Sequence, residues 1–298
     1  MVSIIIPVFN SAGFLSRCLD SVLNQTFKNI EVVIIDDGSV DESGKICKGY
    51  AEKDARCKVY HQENQGASIS RKNGIARATG EWLTFVDSDD IVEDDYIERL
   101  FNAIQEKGVR IAACDQVMHV EGTTVSIDKA ASVILLDEAN LHQRFFHYQF
   151  WGFWGKIYHR SVFEDVHFPT YTINEDYVVM AQLFSKYQQM AYVPIGLYHY
   201  MVHAVSLSHQ PLSLRMFDEY YNKRWVVDFY RAHRPQYMKN AEAQLAETCI
   251  KLTKPTESTE FRTEQNVVRQ FLRSHILRFL FNPYLAASLK FMALKRCL

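Results

Sequence analysis

The stretch EWLTFVDSDD, residues 81–90, decides the fold. Trp82, Leu83, Phe85 and Val86 form a short apolar run that reads as a buried strand, and Asp87, Asp89 and Asp90 follow at once. Like charges at such spacing repel and make one another's ionisation harder. A strand that ends in three carboxylates needs compensation, from solvent or from a cation.

The same design recurs upstream. VSIIIPV (2–8) and EVVIIDD (31–37) are β-branched apolar runs ending in polar clusters, and KVYHQ (58–62) is a further strand candidate. Residues 12–23 place Phe14, Leu15, Cys18, Leu19, Val22 and Leu23 near the i, i+3, i+4, i+7 helical template. Residues 41–53 and 68–79 read as the next helices, with Ser43 and Ser68 in cap regions and Gly80 as a stop. Strands apolar on both faces, alternating with helices, predict an α/β fold with a buried, mostly parallel sheet. Right-handed crossovers bring the C-terminal ends of such strands to one edge, where ligands bind in open α/β sheets. Residues 7–10, 36–39 and 87–90 converge there. Farther on come a strand candidate at 110–115, the aromatic-rich HYQFWGFWGKIYHR (147–160) and the acidic INEDYVVMAQLF (173–184). Beyond about residue 206 the pattern is helical.

The 298 residues are 48% hydrophobic and 23% charged with formal charge −2, an ordinary globular composition without the basic footprint of a nucleic-acid binder. The opening MVSIIIPVFN is too short and too poor in positive charge for a signal peptide, and no run of about 18 apolar residues could span a bilayer. A cytoplasmic location is expected. Six scattered cysteines with no CxxC pair fit reduced thiols.

On residues alone, three readings of Asp87, Asp89 and Asp90 stay open. One is a solvated turn into a helix N-terminus, where Glu93, Asp94 and Asp95 would also be favoured. Another is a bare cation site. The third is a divalent ion shared between carboxylates and phosphates. Asp37, beside the turn-forming Gly38, either accepts hydrogen bonds from a base or ribose or belongs to an Asx-turn with Asp36. Arg71 either neutralises the acidic crevice, grips a phosphate or lies solvated on its helix. Trp151, Phe153 and Trp154 read as core or as a sugar-stacking platform.

Taken in order, VSIIIPVFN, SVLNQTF, IEVVIIDDGSVDES, ENQGASISRKNGIARATGEWLTFVDSDD and a later NED resemble the family 2 glycosyltransferases, closely over residues 1–105 and more loosely to 205. The resemblance implies a GT-A fold, Rossmann-like with a mostly parallel sheet flanked by helices, and an inverting enzyme. It assigns Pro7, Val8 and Asn10 to the nucleotide pocket, Asp37 to the uracil ring and Arg71 to the nucleotide's surroundings. Asp87–Ser88–Asp89 matches the DxD motif, with Asp89 and Asp87 holding Mn²⁺ or Mg²⁺ on the donor diphosphate. Lys156 and His203 match positions that approach the diphosphate. Asp176, of the pair Glu175–Asp176, matches the general base beside the acceptor. A single in-line displacement needs only one such carboxylate, and N-terminal capping by Asn174, Glu175 and Asp176 is compatible with that role.

The expected organisation is a GT-A catalytic domain at 1–205, with nucleotide-sugar binding in 1–105 and the acceptor side in 106–205, and a helical C-terminal region at 206–298. The expected partners are a UDP-sugar donor and a glycan or lipid-linked glycan acceptor in bacterial surface-glycan synthesis, with no nucleic acid. A GDP- or dTDP-sugar donor is the rival within the same chemistry, and an idle sugar-nucleotide- or membrane-binding protein the rival outside it. A Rossmann dehydrogenase is disfavoured, because no GxGxxG follows the first strand. Residues 261–298 hold Arg262, Arg269, Arg273, Arg278, Lys290, Lys295 and Arg296 against Glu264 alone, with Asn282–Pro283 breaking the helical pattern. Such a basic amphipathic segment reads as a peripheral anchor on an anionic inner membrane face, a helical cap or a dimer interface.

Overall fold

The computed structural model describes residues 1–119, 130–171, 173–202, 213–255 and 260–297. His203 therefore lies outside the described residues. The chain runs β1 (Val2–Val8), α1 (Leu15–Leu23), β2 (Ile30–Asp36), α2 (Ser43–Lys53), β3 (Cys57–His61), α3 (Ala67–Arg77), β4 (Trp82–Phe85), β5 (Ile91–Val92) and α4 (Tyr96–Lys107). Then follow β6 (Ile111–His119), β7 (Ile134–Leu136), α5 (Glu138–Phe146), β8 (Lys156–His159), α6 (Glu175–Lys186) and β9 (Met190–Met201). The remainder is helical: α7 (Asp218–His233), α8 (Met238–Leu252), α9 (Arg262–Ser274), α10 (Ile276–Leu280) and α11 (Ala287–Cys297).

All the strands join one sheet in the order β3-β2-β1-β4-β8-β6-β9-β5, with β7 also on β9. β1 to β4 are mutually parallel, whereas β8 is antiparallel between β4 and β6, and β5 is antiparallel to β9. The apolar runs of β1 and β2 are continuous because both faces are covered. Ile4, Ile6, Val32 and Ile34 pack with Leu15 and Leu19 of α1 and Tyr96 and Leu100 of α4. Ile5, Val33 and Ile35 point the other way, into a core shared with Phe85 and with Val178 and Val179 of α6. Gly74 lets α3 lie directly on β1, since a Cβ there would fall 2.4 Å from Ile5 Cγ2.

Two details differ from the sequence reading. Ser43 does not cap α2; its Oγ accepts the Ser11 amide at 2.8 Å and joins the ends of β1 and β2. β9 was not anticipated, because Pro194 and Gly196 interrupt it; its pairing with β6 slips around Asp115 to accommodate them. All six cysteines carry free thiols.

The change from strands to helices after β9 makes no break in the core. One buried apolar cluster includes Phe145 of α5, Tyr177 and Phe184 of α6, Tyr220 of α7, Leu245 of α8 and Leu272 of α9. A buried ionic group sits in this seam. The Lys223 ammonium lies 3.0 Å from Glu219 and donates to Thr248 Oγ1 at 2.9 Å and Tyr148 Oη at 3.2 Å, while Lys251 pairs with the other Glu219 oxygen at 2.9 Å. Burial opposes the charge of Glu219, but Lys223 and Lys251 outweigh it and lower its pKa to about 2. That contribution is present above the unfolded pKa of about 4.3 and is lost as pH falls toward the folded value. Lys223→Met leaves Glu219 buried with less compensation and should cost about 3 kcal/mol of stability at pH 7, read from urea unfolding. The gap between variant and wild type should shrink below about pH 4 as Glu219 protonates.

Candidate functional site

The site forms where the ends of β1, β2 and β4 are tied together. Asn10 adopts φ +50°, a left-handed conformation that Asn tolerates. From it, the amide donates to Ser39 Oγ at 3.1 Å and the side-chain oxygen accepts the Val40 amide at 2.9 Å. Pro7 and Val8 precede this turn, and the Val8 carbonyl accepts the Asp37 amide at 2.8 Å. Ser11 and Ser88 hydroxyls meet at 2.7 Å and join the β1 end to the acidic loop. Asp36 takes the Asx-turn role, accepting the Ser39 amide at 3.1 Å and facing His61 Nδ1 at 2.8 Å.

Asp37 is buried, and its carboxylate organises the approach to α3. Oδ1 accepts Gln62 Nε2 at 2.7 Å and the Gln65 amide at 2.9 Å, and Oδ2 accepts the Gly66 amide at 2.8 Å. Gly38 makes the turn beyond it at φ +77°. Asp37 thus fixes the 62–66 loop at the mouth of the crevice, and only the Oδ2 side of its carboxylate retains capacity for a further donor.

The three carboxylates after β4 have three different environments. Asp87 Oδ1 accepts Arg71 Nη2 at 2.7 Å. Asp90 turns inward: its Oδ2 accepts the Tyr198 hydroxyl at 2.6 Å and its Oδ1 the Met201 amide at 2.9 Å. Burial, then the charges of Asp87 and Asp89, push the Asp90 carboxyl up to about 8, against the hydrogen bonds from Tyr198 and Met201. Asp89 remains partly exposed at the mouth. The Tyr198 hydroxyl also accepts the Asp87 amide at 3.1 Å, so one side chain from β9 spans the loop.

Arg71 is only 6% exposed. Its second arm donates to Glu175 Oε1 at 2.9 Å, and its guanidinium lies 5.1 Å from the Phe153 ring centre. Burial opposes its charge, but Asp87, Glu175 and Asp176 together raise its pKa above the ordinary value. Arg71 is therefore an internal tie between the acidic loop and the start of α6. Asn174 enters α6 in the left-handed region at φ +58°, without a side-chain cap. Asp176 Oδ1 accepts the Tyr177 amide at 2.8 Å, and its Oδ2 makes no hydrogen bond among the described residues. Burial and then the Glu175 charge raise the Asp176 pKa well above the carboxylate range, with Arg71 acting against them.

Lys156 starts β8 and is 1% exposed. Its ammonium donates to the Gly152 carbonyl at 2.7 Å and the Trp154 carbonyl at 3.2 Å. Burial lowers its pKa to about 7. Phe153 belongs to the core, packed on Phe85 and Phe163, while Trp151 and Trp154 are partly exposed. His199 bridges Glu93 at 2.7 Å and His119 at 2.6 Å. Carboxylate oxygens of Glu93, Asp94 and Asp95 also approach within 4.8 Å of one another, but His199 and Arg99 engage two of the three. Sequence reasoning missed Tyr198, Asp90 and Gln62 as organisers. The one signal for Tyr198 was an alternation of buried residues, Val193, Ile195 and Leu197, running toward it.

Residues 3–167 match the family described as Glycosyl transferase family 2. The chain belongs to that family. It is 33% identical over 217 residues to glycosyltransferase GlyA of Streptococcus pneumoniae, covering 70% of this chain and 31% of GlyA. It is 34% identical over 216 residues to EpsH of Bacillus subtilis, covering 69% of this chain and 62% of EpsH. The chain thus spans less than two thirds of either relative. Among solved structures, S. aureus TarS 1–349 in complex with UDP-GlcNAc superposes with a TM-score of 0.76 at 19% identity, covering 99% of this chain and 88% of that one. This family 2 chain has the GT-A architecture, and the match extends through its C-terminal helices.

Arg71→Met removes both arms of the tie and leaves two carboxylates without their cation. It should cost about 3 to 5 kcal/mol in urea unfolding. Arg71→Lys, with a point charge in place of the fork, should recover only part of that loss.

Proposed function

We propose that this chain transfers a sugar, with inversion, from a UDP-sugar to a glycan or lipid-linked glycan acceptor in bacterial surface-glycan assembly, using Mn²⁺ or Mg²⁺ at Asp89 and Asp87. One observation carries the reading: Arg71 binds Asp87 and Glu175 at once, and so sets the donor motif and the base-bearing helix at a single crevice. Family membership supports the reaction class, and the UDP-GlcNAc complex of TarS supports the donor class.

The donor set suits a hard divalent cation. Asp87 commits one oxygen to Arg71 and keeps the other, and Asp89 is partly exposed beside it, whereas Asp90 faces inward. Two carboxylates with room for phosphate oxygens match the habit of Mg²⁺ and Mn²⁺. When bound, the cation supplies Lewis-acid stabilisation to the departing diphosphate. Asn10, Asp37 and the 62–66 loop form the nucleotide wall. Asp176 takes the proton from the acceptor hydroxyl as its oxygen bonds to the anomeric carbon and the bond from that carbon to the diphosphate breaks. Attack opposite the leaving group inverts the centre.

Titration calorimetry with UDP, GDP and dTDP, each with Mn²⁺ and with EDTA, tests the donor and the metal together. UDP should bind best and only with Mn²⁺, and Asp89→Ala should abolish the metal-dependent part. Equal binding of all three nucleotides, or binding indifferent to EDTA, would sink the donor reading.

Asp176→Asn should keep nucleotide binding and lower kcat by at least about a hundredfold, the usual scale for a lost general base. Because the Asp176 pKa is raised, kcat/KM of the wild type should fall as pH drops through a limb displaced above the ordinary value of about 3.9. A limb at the ordinary value would remove Asp176 from the role.

A further inference from the structure

The C-terminal helices carry a surface whose charge and exposure are unlike the rest of the molecule. Residues 262–297 contain seven of the chain's 33 basic residues but one of its 35 acidic residues, leaving 26 basic against 34 acidic elsewhere. The same short segment holds seven of the sixteen large apolar side chains that stand exposed among the described residues. Leu277 is 67% exposed, Phe281 82%, Tyr284 57% and Phe291 59%. Such a concentration departs from the isolated exposed apolar residues normal on a soluble surface.

These side chains are displayed by a rigid frame. Val268, Leu272, Phe279, Leu285 and Ala293 of the same segment are buried in the common core. At the elbow between α10 and α11, Asn282 is buried; its side-chain nitrogen donates to the Lys239 carbonyl at 2.7 Å, and its oxygen accepts the Tyr284 amide at 2.9 Å. With Asn282 drawn inward, Phe281 on one side of it and Tyr284 on the other remain outside. Lys295 lies 4.7 Å from the Phe291 ring, so cation and aromatic ring share one stretch of surface. Arg278, beside Leu277, is also exposed.

We propose that α10, the elbow and α11 form a docking surface for an anionic lipid bilayer, with Leu277, Phe281, Tyr284 and Phe291 entering the headgroup region and Lys290 and Lys295 meeting lipid phosphates. Charge complementarity selects this occupant. Aromatic and aliphatic side chains interspersed with Lys and Arg suit an interface that is apolar below and negative above, and no helix among the described residues is long and apolar enough to cross a membrane. The surface holds the protein on the membrane without inserting it. The inference concerns binding alone and does not depend on the transferase reading.

Co-sedimentation of the full chain with vesicles, in the absence of donor and acceptor, tests it. Vesicles of phosphatidylglycerol mixed with phosphatidylcholine should retain the protein, pure phosphatidylcholine should not, and retention should weaken as salt rises. Phe281→Ser with Phe291→Ser, and separately Lys290→Glu with Lys295→Glu, should each weaken retention by about tenfold or more at an unchanged unfolding temperature. Absence of retention on anionic vesicles overturns the proposal. So does retention that survives loss of the two phenylalanines, which would leave only non-specific charge attraction. A dimer in light scattering that becomes monomeric in the Phe281→Ser, Phe291→Ser variant would assign the surface to a second copy instead.

Discussion

Three carboxylates must share four positions at the end of β4, and much of the site follows from how they are separated. Asp87 receives a buried guanidinium, Asp90 turns inward to accept a tyrosine hydroxyl, and Asp89 stays partly exposed. Three ionised carboxylates side by side without these partners would repel and oppose the closely packed end of β4. Separating them also draws in distant elements. Arg71 comes from α3, and Tyr198 comes from β9 across the sheet. The loop therefore fixes the mutual position of α3, β4, α6 and β9.

The protein's own cation thus accounts for part of the compensation that the sequence left open between solvent and a metal. Arg71 gives one N–H of each terminal nitrogen to Glu175 and Asp87, and its buried Nε has no partner among the described residues. Its burial turns it toward Asp87 and Glu175 rather than toward solvent. The same holds for Asp37, most of whose capacity goes to the loop that forms the crevice mouth. Both side chains hold neighbouring loops in place, and Asp89 beside them is partly exposed.

The parallel half of the fold was legible because its signal is local. Ile4 and Ile6 face one way and Ile5 the other, and an apolar run covered on both faces is visible in a window of seven residues. The acidic strand ends and the pair at 175–176 were equally visible. Their partners were not, because Arg71 and Glu175 are separated by 104 residues and Asp90 and Tyr198 by 108. Residue type announces a carboxylate but not which cation closes on it. Lys156 shows the same limit. Its position suggested a phosphate contact, whereas its ammonium is held by carbonyls of its own loop. β9 failed for a different reason: Pro194 and Gly196 contradict strand propensity locally, and only the register slip with β6 makes room for them.

The tail reads in two ways because its two faces do different work. Inward-facing residues of α7 to α11 extend the common core, and the connection reaches the start of α6. Asn222 of α7 donates to the Ile173 carbonyl at 2.8 Å, three residues before Asp176, and Lys223 beside it lies 5.9 Å from the Tyr177 ring. The start of α6 is therefore held from two directions, by Arg71 through Glu175 and by α7 through Ile173. With the helix start held on both sides, Asp176 Oδ1 accepts the Tyr177 amide in the first turn of α6. A helical region that only tethered the enzyme would have no reason to touch this loop. The contact makes α7 part of the frame that holds the start of α6, while the exposed aromatic residues of α10 and α11 belong to the outer surface.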